Sequence, residues 1–205
     1  MHHKLLVAPI LTVAALFAAL PASSQTIAPY QGSVIPLAIG GGPSAYNPDW
    51  GHGIMYGGTI WVDWYPKNMP HLLQNFALEA EARDISLDRH SEAGQVAYSG
   101  QANTKEDTVG GGVLYNWPMF RNIHPYFKGI FSQGSVDFIS SSPTYSHDTR
   151  FVYAGGGGLE YRVYRPVWVR AEYEYQVWTG KLLFNYLTPE GLTVGVTYDF
   201  AHANP

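Results

Sequence analysis

Between residues 169 and 178 the side chains alternate without a break. Val169, Ala171, Tyr173, Tyr175 and Val177 fall on one side of an extended backbone, and Arg170, Glu172, Glu174, Gln176 and Trp178 on the other. Successive side chains of a strand point to opposite faces, so the stretch predicts a strand with one apolar and one charged face. In a soluble sheet the Tyr/Val face is core. In a transmembrane barrel the sense is reversed, with aromatic rings on lipid and charges lining the lumen.

Seven further segments share the alternation, for eight strands in all. The first spans about 31–41 and runs into GPSAYNPDWGHG, a cluster of Gly, Pro and Asn-Pro turn signals. The second spans 54–65, with Ile60, Val62 and Trp64 opposed to Thr59, Trp61 and Asp63. The third spans 76–87, where Phe76, Leu78, Ala80 and Ala82 oppose Glu79, Glu81 and Arg83. Beyond Arg83 its phase slips, because Ile85 and Leu87 lie on the Glu side, which predicts a bulge or the strand's exit from an apolar zone. The fourth spans 108–117, the fifth 125–136, the sixth 151–163 and the last 192–200. Odd-numbered strands lead into longer polar stretches and even-numbered ones into shorter links, the segregation expected of outer-membrane barrels.

The faces opposite the aromatic ones carry Asp63, Glu79, Glu81, Arg83, Lys128, Glu160, Arg162, Arg170, Glu172, Glu174 and Asp199. On a soluble exterior such charges are a solvated surface worth little. Inside a narrow barrel they must pair, since an unpaired buried charge is costly. Tyr and Trp gather near strand ends, as Trp64 with Tyr65, Tyr115 with Trp117, Tyr161 with Tyr164, and Tyr198 with Phe200. Amphipathic rings favour a membrane–water interface. On this pattern Tyr173 and Tyr175 face lipid, while Glu172 and Glu174 face inward.

Composition narrows the alternatives. Of 205 residues only 14% are charged and 15% are aromatic, with 22 Gly, 15 Tyr and no Cys. That usage suits strands and turns, and it excludes disulfides, thiolate metal sites and a Cys nucleophile. A net charge of -4 gives no basic footprint for nucleic acid. The short basic start, the apolar run from Leu5 to Leu20 and the small residues of Pro21-Ala22-Ser23-Ser24 predict a secretory leader over 1–24 and a barrel domain over 25–205. After Ser24 no stretch approaches the ~20 apolar residues of a transmembrane helix, so a membrane-spanning fold has to be a closed barrel.

The stretches LEAEARD, HPYFKGIFSQG, YAGGGGLEYRV with VWVRAEYEYQ, and GLTVGVTYDF resemble the small OmpA-like/OmpX-like outer-membrane β-barrel family across the mature chain. The resemblance implies an all-β, eight-stranded antiparallel up-and-down transmembrane barrel with periplasmic termini. It also implies outer-membrane lipid and lipopolysaccharide as surroundings, and insertion by the barrel-assembly machinery, which reads a last strand of alternating aromatics ending in Phe, here Phe200. In this chain Phe200 is followed by Ala201-His202-Ala203-Asn204-Pro205. No peptidoglycan-tethering domain is expected.

Other motifs read as structural. The runs at Gly110 to Gly112 and Gly155 to Gly158 lack the following helix and Lys-Ser/Thr of a phosphate loop. His52, His71, His90, His124, His147 and His202 are scattered over loops and turns without metal-ligand spacing. Ser146-His147-Asp148 lies in one polar loop, whereas a working triad converges from separate elements. The leading expectation is a non-enzymatic barrel without cofactor, its interior filled by side chains. It would act in envelope integrity, or through loops around 46–50, 90–107 and 140–150 whose partner is unidentified. Two alternatives stand beside it: a soluble periplasmic lipocalin-like barrel holding an apolar ligand, and an outer-membrane enzyme acting on lipid.

Overall fold

Eight strands follow one another along the chain: β1 (Leu37–Asn47), β2 (Met55–Trp64), β3 (Phe76–Leu87), β4 (Asn103–Asn116), β5 (Ile123–Ile139), β6 (Ser146–Tyr164), β7 (Val167–Trp178) and β8 (Glu190–Asp199). Each pairs antiparallel with its neighbours in sequence, and β8 pairs back onto β1, closing a barrel. Closure leaves no strand edge unpaired. The computed structural model describes residues 35–49, 53–66, 69–71, 73–87, 103–117, 122–139, 146–180 and 187–200. The expected leader at 1–24 and the loop residues 88–102 and 140–145 lie outside the described residues.

Several boundaries differ from expectation. β1 begins and ends later, so Gly42 to Tyr46 are strand rather than turn. Pro43 fits because the ladder to β8 is interrupted there, with pairs at Gly41–Val196 and Ser44–Thr193 on either side. β4, β5 and β6 extend well past the expected ends, so Thr104 to Asp107 and Ser146 to Arg150 belong to strands. The barrel wall therefore extends further at the end away from the termini than the alternation predicts.

β3 settles the phase slip. Its register is continuous with β2 from Leu78 to Ser86 and with β4 from Phe76 to Leu87, with no bulge. What changes at Arg83 is the polarity of the two faces: Asp84 and Ser86 point out, and Ile85 points in. The same change recurs on the outer face where Val109 gives way to Asp107, Phe131 to Gln133, Phe151 to Thr149 and Leu192 to Glu190. These steps mark one boundary of an apolar belt. A register shift does occur elsewhere, between Arg162 and Tyr164 where β6 meets β7.

The belt is built from the apolar side of every strand, including Ile39, Ile60, Leu78, Val113, Phe127, Leu159, Val169, Val194 and Val196. The inward side is largely polar, with Asp63, Glu79, Arg83, Lys128, Arg170, Glu172 and Glu174 all buried. Glycines make room for the large inward rings. A β-carbon at Gly40 or Gly195 would collide with the Trp61 indole, and one at Gly158 with the Tyr126 hydroxyl. Within the GGGG run of β6 it is Gly158 whose lack of a side chain makes room for this ring.

Candidate functional site

The lumen is organised in three levels, set by the two-residue step of the inward positions. At mid-height the register places Glu79 opposite Asp63, Glu81 opposite Trp61, and Arg83 opposite Thr59. Arg170, Glu172, Glu174 and Gln176 rise along β7 on the facing wall.

Two guanidinium groups and one ammonium tie these walls together. Arg170 donates from Nη2 to Glu79 Oε2 and Glu172 Oε2, both at 2.7 Å, and its Nη1 lies 3.4 Å from Asp63 Oδ2. The same guanidinium carbon sits 4.7 Å from the Trp61 ring centre and 4.5 Å from that of Tyr126. Arg83 donates to Glu81 Oε1 and Glu174 Oε1, both at 2.7 Å, and to Thr59 Oγ1 at 3.0 Å. Lys128 Nζ lies 3.1 Å from Glu79, 2.7 Å from Glu172 and 2.9 Å from Glu174, and also contacts Glu81. Buried charges are tolerated when paired and hydrogen-bonded in this way. Tyr126, Gln176 and the hydroxyl chain of Ser44, Thr59 and Thr193 complete the network.

Three of its carboxylates, Glu79, Glu81 and Glu172, offer oxygens within 4.8 Å of one another, a spacing that could hold a metal ion. The Lys128 ammonium is bonded to each of them and supplies positive charge at that place.

Away from the termini the lumen holds two apolar clusters. Tyr46, Met55 and Ile85 form one buried cluster, with Leu87 against it, and Val136, Val152, Trp178 and Leu187 form another. Glu106 is buried at this end, 1% exposed, and neither carboxylate oxygen has a hydrogen-bond partner. Its neighbours Lys105 and Asp107 point outward beyond the apolar belt, so Glu106 lies outside the membrane-spanning part. Burial pushes its carboxyl up to about 8, with Arg83 acting against the shift.

At the end bearing the termini lies a cavity of about 300 Å³. Tyr65, Asn116, Glu160, Trp168 and Asp199 are among its walls.

Of the charged positions singled out by the sequence, Asp63, Glu79, Glu81, Arg83, Lys128, Arg170, Glu172 and Glu174 meet in the central network. Glu160 and Asp199 lie apart on the cavity wall, and Arg162 stacks over Trp168 with its guanidinium carbon 4.4 Å from the ring centre. The aromatics Trp64, Trp117, Tyr161, Tyr173, Tyr175, Tyr198 and Phe200 are exposed on the outer face. Tyr115 is half-buried against Phe76, ring centres 5.0 Å apart.

Some residues are not where the sequence placed them. Tyr46 and Glu106, assigned to recognition loops, are buried in the lumen. His124, assigned to a turn, lies on β5 and packs on Trp168 with ring centres 4.7 Å apart. Ser146-His147-Asp148 is strand rather than loop. His147 contacts Asp137, while Asp148 accepts from Arg150 at 2.6 Å. Gly and Pro turn signals hid Tyr46. Glu106 sits among polar residues whose period-two spacing was the one available sign.

The sequence matches the family described as outer membrane protein beta-barrel domain, over residues 10–200. The chain belongs to that family. Its place is therefore the outer membrane, with the apolar belt in lipid and the charged face enclosed. Comparison with curated proteins gives no match. Among solved structures the barrel is similar to Neisserial surface protein A (TM-score 0.58, 13% identity, 80% of this chain and 95% of that one). It is similar also to Ail, the attachment invasion locus protein of Yersinia pestis (0.52, 16%, 79% and 95%). OprG from Pseudomonas aeruginosa gives a comparable match (0.52, 12%, 79% and 94%). At these identities the likeness is one of fold.

Proposed function

We propose that this chain is a non-enzymatic outer-membrane barrel that works from its outside, through the end away from the termini, in surface interaction or envelope integrity. The observation that carries the reading is the filling of the lumen: a paired charge network at mid-height with apolar clusters above it. A narrow barrel filled by side chains has no room for a diffusion path or for a substrate in transit. The termini then face the periplasm, after export of a mature chain beginning near Gln25. The barrel-assembly machinery would insert it, reading Tyr198 and Phe200 on the last strand. Lipopolysaccharide would surround the upper belt.

Among the described residues the outer face beyond the belt carries Asp84, Asp107, Asp137 and Glu190 against Lys105 and His147. Ail has been solved in complex with the heparin analogue sucrose octasulfate. An acidic rim of this kind disfavours such a polyanion, so the partner proposed here is neutral or cationic.

Planar-bilayer recording of the folded protein tests the closed lumen. No stable conductance steps are expected. Steps of a water-filled pore would overturn the reading.

A further inference from the structure

On the outer face, just beyond the belt, an acid, an imidazole and a hydroxyl stand in line. Asp137 and His147 are opposite one another on the β5–β6 ladder, and Asp137 Oδ1 contacts His147 Nδ1. Across the ring, Nε2 lies 3.2 Å from Thr149 Oγ1. An ionised carboxylate only accepts, so Asp137 holds the imidazole with its proton on Nδ1. Nε2 is then the acceptor for the Thr149 hydroxyl, the arrangement that turns a hydroxyl into a nucleophile. Ser135 Oγ lies 3.5 Å from Nδ1, the nitrogen the carboxylate occupies, so it does not take that role. The Asp137 side chain is 17% exposed and that of His147 43%, so the acid is shielded while the ring is open. Thr149 is exposed.

Two further features suit acyl transfer. Phe151 O accepts from Thr179 N on the β7 side. Thr149, two residues along, directs its amide to the same side, beyond the last β6–β7 pair at Val152 and Trp178. That N–H is a donor for an oxyanion forming on the carbonyl that Thr149 attacks. Below the hydroxyl, Phe151 marks the belt's edge and stacks on Phe131, ring centres 5.3 Å apart. The ester groups of a lipid lie at this boundary, where hydrocarbon meets the polar interface, and an acyl chain would run down along the two rings.

We propose that Thr149 is a nucleophile that takes an acyl group from a lipid ester at the belt edge. Its oxygen attacks the ester carbonyl as His147 Nε2 removes the hydroxyl proton. The tetrahedral intermediate collapses, the bond to the alkoxide breaks, and His147 gives the proton to the departing alcohol. Thr149 is left as an ester. One such transfer modifies the protein without turnover, so it goes beyond the reading above and does not depend on the closed lumen.

In the test, the mature barrel is folded in ester-free detergent micelles at neutral pH and treated with p-nitrophenyl decanoate or p-nitrophenyl acetate. Release of p-nitrophenolate gives the rate, and mass spectrometry of proteolytic peptides locates the acyl group. A decanoyl group on Thr149 is expected. Thr149→Ser should still be acylated, and Thr149→Val should not. His147→Ala should slow the reaction by about 10²–10⁴-fold, the scale of general base catalysis, and Asp137→Asn should slow it too. Phe151→Ala should slow the decanoate reaction and leave the acetate one unchanged. Glu190→Gln, an acid elsewhere on the outer face, should change neither. Heat-dependent gel mobility first confirms that each variant is folded. Acyl groups confined to lysines or His147, or undiminished acylation of Thr149→Val, overturn the proposal. Failure of Phe151→Ala to separate the two esters overturns the lipid ester as donor. Release continuing past one equivalent, yet lost in Thr149→Val, supports the nucleophile and overturns the non-enzymatic reading instead.

Discussion

Lys128 shows how single residues hold this molecule. Its ammonium faces Glu79, Glu81, Glu172 and Glu174, drawn from two separate strands. Replacing it by Met would leave four carboxylates facing one another in a buried space. Lys128→Met should destabilise the barrel by about 3–5 kcal/mol, the usual cost of removing one partner of a buried pair. Urea unfolding in lipid vesicles measures it, and adding Glu81→Gln should recover part of the loss. Glu106 has the opposite character, a carboxyl with no hydrogen-bond partner. Its folded-state value of about 8 lies above the ordinary 4.5, so the proton is bound more tightly in the folded protein. Stability attributable to Glu106 is then full below about pH 4.5 and falls as pH rises towards 8. Glu106→Gln should remove that part of the decline, read as the difference in unfolding free energy between the two proteins across this range. Equal slopes would contradict the assignment. The direction of these side chains was legible in the sequence, because period two fixes the face. Their partners were not. Arg83 and Glu174 are 91 residues apart and meet only when the sheet closes.

At the scale of the strand, alternation identifies which residues share a face, but the meaning of that face changes along its length. On β3 the outer positions run from Leu78, Ala80 and Ala82 to Asp84 and Ser86 as the strand leaves the belt. The inner positions run the other way, from Glu79, Glu81 and Arg83 to Ile85. That inversion imitated a bulge in the sequence, whereas the register shift that exists, at Arg162/Tyr164, left the alternation unmarked. Strand ends were misread for a related reason. Polar residues beyond the belt, such as Thr104 to Asp107, have loop-like composition yet remain hydrogen-bonded strand. The belt predicts a depth dependence. Val194→Arg, near the middle of the outer face of β8, should cost about 2–4 kcal/mol, and Ser86→Arg, beyond its edge, about 0–1 kcal/mol. Unfolding of both variants in the same vesicles measures the difference, and equal costs would misplace the boundary.

For the whole molecule the central feature is inversion: at the height of the belt the charged residues are enclosed, with rings such as Trp61 and Tyr126 among them, and the outer face is apolar and aromatic. A lipocalin-like binder would need the reverse, and its apolar ligand would have to displace an ion network. The same inversion encloses the charges of the central network, where acids and bases match one another. It also explains why the stability of the fold depends on closure, since opening the β1–β8 seam would bring water to both the ladder and the pairs. The most direct measurement is electrophoretic mobility of the protein from isolated outer membranes, in detergent with and without boiling. A closed barrel should resist the detergent until heated and then change mobility. The same mobility in both samples, with the protein recovered in the soluble periplasm, would contradict the inside-out barrel and place Tyr173 and Tyr175 in a core.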